Sequence, residues 1–363
     1  MVENFQAEEL YSLLQEGATL VDVRSPSEFF HGTIPGAVNV PLFSDTERAE
    51  IGTLYKQVGR SEALVTGFER VATKAENLID QLSEVAREDR PYLITCWRGG
   101  MRSRSVGELF RPFHPDVRVL RGGFKAYRRM VVNEFREKPK FKFATLYGLT
   151  GSGKTELLEA IEAEGYPVIH LERFASHRGS VFGQVGIPHH ATQIEFENLL
   201  HHSLWKLGLG SRKLDKSGGW VILEGESRRI GAVQIPDSFF RALEGDSLKI
   251  MVEAPFEDRV RRIVEIYASD FSENQSEKGK ELRRALDRIE KRLDGLLYRK
   301  LVQLLDAGDL SEVTSLLLTH HYDKSYKHAR SEGEYPVKVE IPSSDPTTLK
   351  QVANNLLNEL RGR

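Results

Sequence analysis

"FATLYGLTGSGKTELLEAI", residues 143–161, decides how the longer part of the chain folds. A short apolar run leads into a glycine-rich stretch, and an amphipathic run with good helix formers follows. Gly148, Gly153, Lys154 and Thr155 satisfy the spacing G-x-x-x-x-G-K-[ST]. In a strand–loop–helix context this is a phosphate loop. The amides from Thr150 through Gly151, Ser152 and Gly153 would cradle a diphosphate. Lys154 would neutralise it, and Thr155 would bind Mg²⁺ if the ion is used. A mere glycine turn needs neither the strand before the motif nor the helix after it.

Further strands are expected in "YPVIHLE", "GWVILEGES" and "SLKIMVEAP", with helical stretches between them. The chain then turns helical and charged after Glu257, and a late strand in "YPVKVEIP" precedes a terminal helix over 345–360. The expectation is a P-loop NTPase-like α/β domain over 143–363 with a helical C-terminal part. Glu224, at the end of an apolar strand, takes the place where P-loop enzymes hold a metal-binding carboxylate. With Thr155 it is the candidate Mg²⁺ ligand. Arg228 follows closely, and "FASHRGSVFG" adds His177, Arg178, Gly179 and Ser180 as supporting polar groups. His189 and His190 lack zinc-ligand spacing and read as solvated or capping residues.

The first 135 residues show a separate alternation. "ATLVDVR", "PYLITC" and "VRVLRGG" read as buried strands, and 62–82 reads as a helix between them. A small α/β domain with a parallel sheet follows, joined to the second by a linker at 136–142. "TCWRGGMRSRS", residues 95–105, holds the single cysteine of the 363-residue chain. Cys96 comes at a strand end, and Ser103 is the expected helix start. Trp97, Arg98, Gly99, Gly100 and Met101 separate Cys96 from Arg102. Glycines that turn amides inward, a helix N-terminus and two arginines all favour a thiolate, the nucleophilic form. Arg102 is the expected helper of that thiolate. A buried structural cysteine would gain nothing from such neighbours.

The length points to two domains. No apolar run reaches the roughly 18 residues of a membrane span, and "MVENFQAEEL" lacks a secretory-signal pattern. One cysteine makes no internal disulfide, so a reducing cytoplasm is expected. The net charge of −2 argues against a uniformly basic nucleic-acid binder. From Arg98 to Lys142, however, thirteen Lys or Arg stand against four Asp or Glu. That excess surrounds the cysteine and calls for an anionic partner. Nine against four from Lys278 to Lys300 reads as an ordinary solvated helix face.

"VDVRSPSEFFHGTIPGAVNVP" at 21–41 and "RGGFKAY" at 121–127 resemble the two signatures of the rhodanese family, over roughly residues 5–135. The resemblance implies that Cys96 carries a persulfide or its selenium counterpart. The loop is one residue longer than in ordinary sulfurtransferases and is similar to that of Cys-dependent phosphatases, which suits a tetrahedral, phosphate-like group.

A rhodanese-like domain followed by a phosphate loop, "SHRGSVFG", "QIEFE", "ILEGESRRIG" and "HHYDKSYKHA" (320–329) resembles the tRNA 2-selenouridine synthase family over almost the whole chain. This implies a bacterial transferase converting wobble 2-thiouridine to 2-selenouridine in tRNAs for Lys, Glu and Gln. The implied route runs through S-geranyl-2-thiouridine, with geranyl diphosphate and selenophosphate as substrates. It implies no tightly bound cofactor, a selenophosphate-supplying enzyme as partner, and no membrane. Arg128 and Arg129, in the basic stretch, are the candidate tRNA contacts. An ATP-dependent tRNA sulfurtransferase, a P-loop kinase with a regulatory rhodanese module and a pure tRNA-binding module are the alternatives.

Overall fold

The structure, a computed structural model, describes residues 2–178, 185–187, 189–208, 218–269, 275–324, 335–343 and 345–363. The chain divides into two compact units, Met1–Glu137 with Glu197–Leu199, and Lys138–Phe196 with Leu200–Arg363. The boundary falls inside the stretch expected as a linker.

In the first unit β1 (Glu3–Phe5), β2 (Thr19–Asp22), β3 (Val38–Asn39), β4 (Tyr92–Thr95) and β5 (Val117–Leu120) form one sheet in the order β1-β5-β4-β2-β3. All four pairings are parallel. The central strands are buried at nearly every position because both faces of a parallel sheet are covered. Tyr92, Ile94, Val106, Phe110 and Val119 build one side of its core. The helix expected over 62–82 is two helices, Arg60–Ala72 and Ala75–Val85, broken at Thr73 and Lys74. Ahead of them, Asp45–Gln57 starts at a full capping box. Ser44 Oγ accepts from Glu47 N–H, and the Glu47 carboxylate accepts from Ser44 N–H.

In the second unit β6 (Lys142–Tyr147), β7 (Val168–Ile169), β8 (Trp220–Glu224), β11 (Leu248–Glu253) and β12 (Val337–Glu340) form a parallel sheet in the order β12-β11-β6-β8-β7. A short antiparallel hairpin of β9 (Arg229–Ile230) and β10 (Val233–Gln234) follows β8. The helices Lys154–Ala163 and Pro346–Arg361 pack together on the sheet through Leu157, Leu158, Ile161, Leu349, Ala353 and Leu356. The helices Gln275–Ile289, Gly295–Asp306 and Leu310–Leu317 make their own core through Leu282, Leu286, Leu301, Val313 and Leu317. β6 is flanked by β11 and β8, so the loop leaving its carboxyl end opens in the crevice where open α/β sheets bind ligands. No described helix is long and apolar enough to cross a membrane.

Candidate active sites

Each unit presents one site, and each is built at the carboxyl end of a central strand. In the first unit β4 delivers Cys96, which is 3% exposed. The helix after it runs Met101–Phe110, with Gly100 at its N-cap. It therefore starts two residues before Ser103, which lies in its first turn and faces the sulfur instead. Ser103 Oγ is 3.2 Å from Cys96 Sγ. Trp97, Arg98 and Met101 are exposed around this buried sulfur.

The turn 121–123 clasps the loop. Phe124 and Lys125 N–H donate to the carbonyls of Cys96 and Trp97, at 2.8 and 3.0 Å. Gly99 has φ +59°, and a Cβ there would lie 2.2 Å from the Leu120 carbonyl oxygen. Gly123 has φ +61°, and a Cβ there would strike the Cys96 carbonyl at the same distance. Any side chain at either position opens the loop.

Arg102 does not stand free over the thiol. Its Nη1 donates to Glu28 Oε2 at 2.6 Å, and Arg48 also lies near that carboxylate. Burial pulls Glu28 upward, but the Arg102 bond and charge outweigh it and hold the carboxyl below its ordinary value. Arg24, fully buried, forks onto Asp22 and lies 4.0 Å from the ring of Phe124, which ties the 21–41 segment to the closing turn. Arg129 is exposed on the helix Gly123–Glu134. Arg128, on the same helix, is only 16% exposed and bonds Glu197 and Asn198, which cluster with this unit.

In the second unit Gly148, Thr150, Gly151, Ser152, Gly153, Lys154 and Thr155 line one cavity of about 870 Å³, together with His177, Arg178 and Glu224. Arg228 does not line it; an exposed ion pair holds it to Asp237. Lys154 Nζ donates to the Gly148 carbonyl at 2.9 Å. Glu224 Oε2 accepts from Leu171 N–H at 2.8 Å, and its Oε1 faces His170 Nδ1 at 4.0 Å. Burial pushes Glu224 up to about 7, against the pull of that amide. Glu172 is raised as well, by burial first and then by Glu226 and Glu224 beside it. Burial lowers His177, and the charge of His190 adds to this. His189 bonds the Glu195 carboxylate that also caps the helix Gln193–Gly208. Gly179 and Ser180 lie outside the described residues, as do 325–329 of the 320–329 segment.

Thr155 and Glu224, the expected Mg²⁺ pair, both line this cavity. Among the described residues no group of three or more His, Cys, Asp or Glu is placed to hold a metal. Glu224 spends one oxygen on a backbone amide and is driven toward its neutral form.

Three features of this cavity have no local sequence signal. His170 directly follows a two-residue strand, Glu172 lies in the short helix Leu171–Phe174 after it, and both line the cavity. Apolar side chains also line it: Ile263, Ile266, Leu282, Leu286, Val313 and Leu317, from helices more than a hundred residues beyond the phosphate loop in sequence. Arg262, 2% exposed, enters from the same helix as Ile263, Phe256–Ser269.

A rhodanese-like sheet with a cysteine at its central strand end, and a P-loop sheet with a partly apolar cavity, define a two-domain group-transfer protein. Family models agree with both halves: a rhodanese-like domain at residues 6–130 and the tRNA 2-selenouridine synthase AAA domain at 141–354. Three bacterial proteins named tRNA 2-selenouridine synthase are similar along nearly the whole chain. That of Nitrosomonas europaea is 34% identical over 93% of this chain and 86% of its own. The Marinobacter nauticus protein is 32% identical over 93% and 96%, and the Pseudomonas paraeruginosa protein 35% over 89% and 90%. The chain belongs to the tRNA 2-selenouridine synthase family, a family of tRNA-modifying enzymes.

Proposed function

We propose that the protein converts wobble 2-thiouridine of tRNAs for Lys, Glu and Gln to 2-selenouridine in two half-reactions. In the first, the thiocarbonyl sulfur attacks C1 of geranyl diphosphate. A C–S bond forms, the C1–O bond breaks, diphosphate leaves, and the base gives up its N3 proton. In the second, water cleaves the P–Se bond of selenophosphate and phosphate leaves; the selenide adds at C2, and geranyl thiol departs. Alkylation turns sulfide, a poor leaving group, into a thiol.

One observation carries this reading: a phosphate loop and an apolar wall share one cavity. Amides and Lys154 suit an anionic head, and the leucine, isoleucine and valine side chains suit a hydrocarbon tail. Cys96 in its enlarged loop is assigned to the second half-reaction, where the tetrahedral head of selenophosphate would meet the inward amides beside the sulfur while water breaks the P–Se bond and phosphate leaves. An enzyme that makes selenophosphate is the partner this chemistry needs.

The test is a single incubation of purified protein with 2-thiouridine-containing tRNA and geranyl diphosphate in the absence of ATP. A nucleoside heavier by one geranyl group supports the reading. A requirement for ATP, or ATP turnover with no change in the tRNA, would favour the sulfurtransferase or kinase instead.

A further inference from the structure

A diphosphate leaving from an allylic carbon gathers negative charge, and one lysine does not balance it. Cationic side chains of the cavity can share that charge. Among the described residues, four Lys or Arg side chains line the cavity: Lys154, Arg173, Arg178 and Arg262. Arg173 is more than half exposed and pairs with Glu159. Arg178 gives Nη1 to the Val185 carbonyl. Arg262 differs from both because it is buried and bound to the phosphate loop itself.

Its Nη1 donates to the Gly151 carbonyl at 3.1 Å. A Cβ built on Gly153 would lie 3.3 Å from Arg262 Cζ, so the guanidinium lies against the turn that carries the loop's amides. One turn earlier Arg259 braces the same loop: Nε donates to the Thr150 carbonyl at 2.9 Å, and its other nitrogens fork onto Asp323 at 3.0 and 2.6 Å. Arg259 does not line the cavity, whereas Arg262 does. The two arginines divide the work. Arg259 fixes the helix to the loop, and Arg262 presents charge to the space inside. The next residue, Ile263, and Ile266 on the same helix line the cavity as well. One helix thus carries a cation for the head and apolar groups for the tail. Glu156, Asp258 and Glu265 lie in the field of Arg262, and Arg261 opposes them.

We propose that Arg262 is a catalytic residue that contacts the diphosphate group together with Lys154 and takes up the charge that develops on it as the C1–O bond breaks. This rests on the geranyl diphosphate reading of the cavity. A planar guanidinium forks onto phosphate oxygens, and hydrogen bonds to a charged group are among the stronger ones.

The experiment measures binding of inorganic phosphate and inorganic diphosphate to the full-length wild type, Arg262→Gln and Arg262→Lys, alongside single-turnover geranyl transfer. If Arg262 reaches the diphosphate, Arg262→Gln weakens diphosphate binding on the order of tenfold or more and leaves phosphate binding nearly unchanged. Its kcat for geranyl transfer falls further than its KM rises, and Arg262→Lys recovers part of both. Equal weakening for phosphate and diphosphate would reduce Arg262 to a brace of the loop and overturn the proposal, as would no weakening at all. The Lys variant keeps the charge should the Gln variant fail to fold. A wild type that binds inorganic diphosphate but transfers no geranyl group would sink the reading of the substrate, while the binding comparison still decides the role of Arg262.

Discussion

Arg102 and Glu28 are bonded at 2.6 Å across 74 residues of sequence, so the arginine that ends the cysteine loop is held by the segment that carries the rhodanese signature. The guanidinium is a strut as well as a charge. It fixes the first turn of the helix from which Ser103 faces Cys96, and it meets the sulfur's surroundings with its charge already partnered.

Removing that strut has a pH signature. Glu28 titrates below its ordinary value of 4.5 when folded. A depressed carboxyl stabilises the native state at neutral pH and loses that contribution as pH falls through its folded value. Glu28→Gln should therefore unfold more easily than the wild type at pH 7, by about 1–2 kcal/mol, with the gap closing below pH 4.5. Denaturant titrations at several pH values check this, and a gap independent of pH would contradict it.

Lys154→Ala should strike the geranyl step. Loss of one preorganised charge at a developing anion typically costs about 3 kcal/mol, roughly a hundredfold in rate. Geranyl transfer measured at low and at saturating geranyl diphosphate reads the effect, and full retention at both would remove the loop from the reaction.

Tail length should matter independently of the head. Each methylene buried in the apolar part of the cavity contributes up to about 0.8 kcal/mol. Dimethylallyl diphosphate, five carbons shorter than geranyl diphosphate, should bind at least about tenfold more weakly. Inorganic diphosphate should be weaker still. Equal affinity for the two prenyl diphosphates, read by calorimetry, would mean that the tail lies elsewhere.

The skeleton of both sites is legible along the chain because each is local. An apolar run ending in glycines gives β4 and the cysteine loop, and another gives β6 and the phosphate loop. Helix starts are less so: Gly100 caps the helix after Cys96 without a side-chain signal, and Ser103 draws attention two residues late. The apolar wall and Arg262 escape sequence reading for a different reason. They lie in "DRVRRIVEIY", which reads only as helical and charged, and in the helices after it, where 278–300 reads as a solvated face. The bonds of Arg259 and Arg262 go to loop carbonyls more than a hundred residues away. Only tertiary packing tells a buried arginine from an exposed one on such a helix.

The basic stretch near Cys96 also divides on structural grounds. Arg129 is exposed, whereas Arg128 is engaged with Glu197 and Asn198. Arg129→Glu should weaken tRNA binding for every isoacceptor alike and lower the salt slope by about one phosphate contact. Arg128→Glu should instead lower thermal stability, since it places a carboxylate against Glu197. Filter binding at several salt concentrations, paired with melting curves, separates the two. Unchanged affinity in Arg129→Glu would move the RNA path off this helix.

If one chain runs two chemistries at two sites, Cys96 is needed for the second alone. Cys96→Ser is supplied with 2-thiouridine-containing tRNA, geranyl diphosphate and selenophosphate together, and the product nucleosides are weighed by mass spectrometry. The wild type should yield 2-selenouridine, and the variant should stop at S-geranyl-2-thiouridine formed at the wild-type rate. Selenouridine from the serine variant, or loss of the geranylated product along with it, would contradict the account.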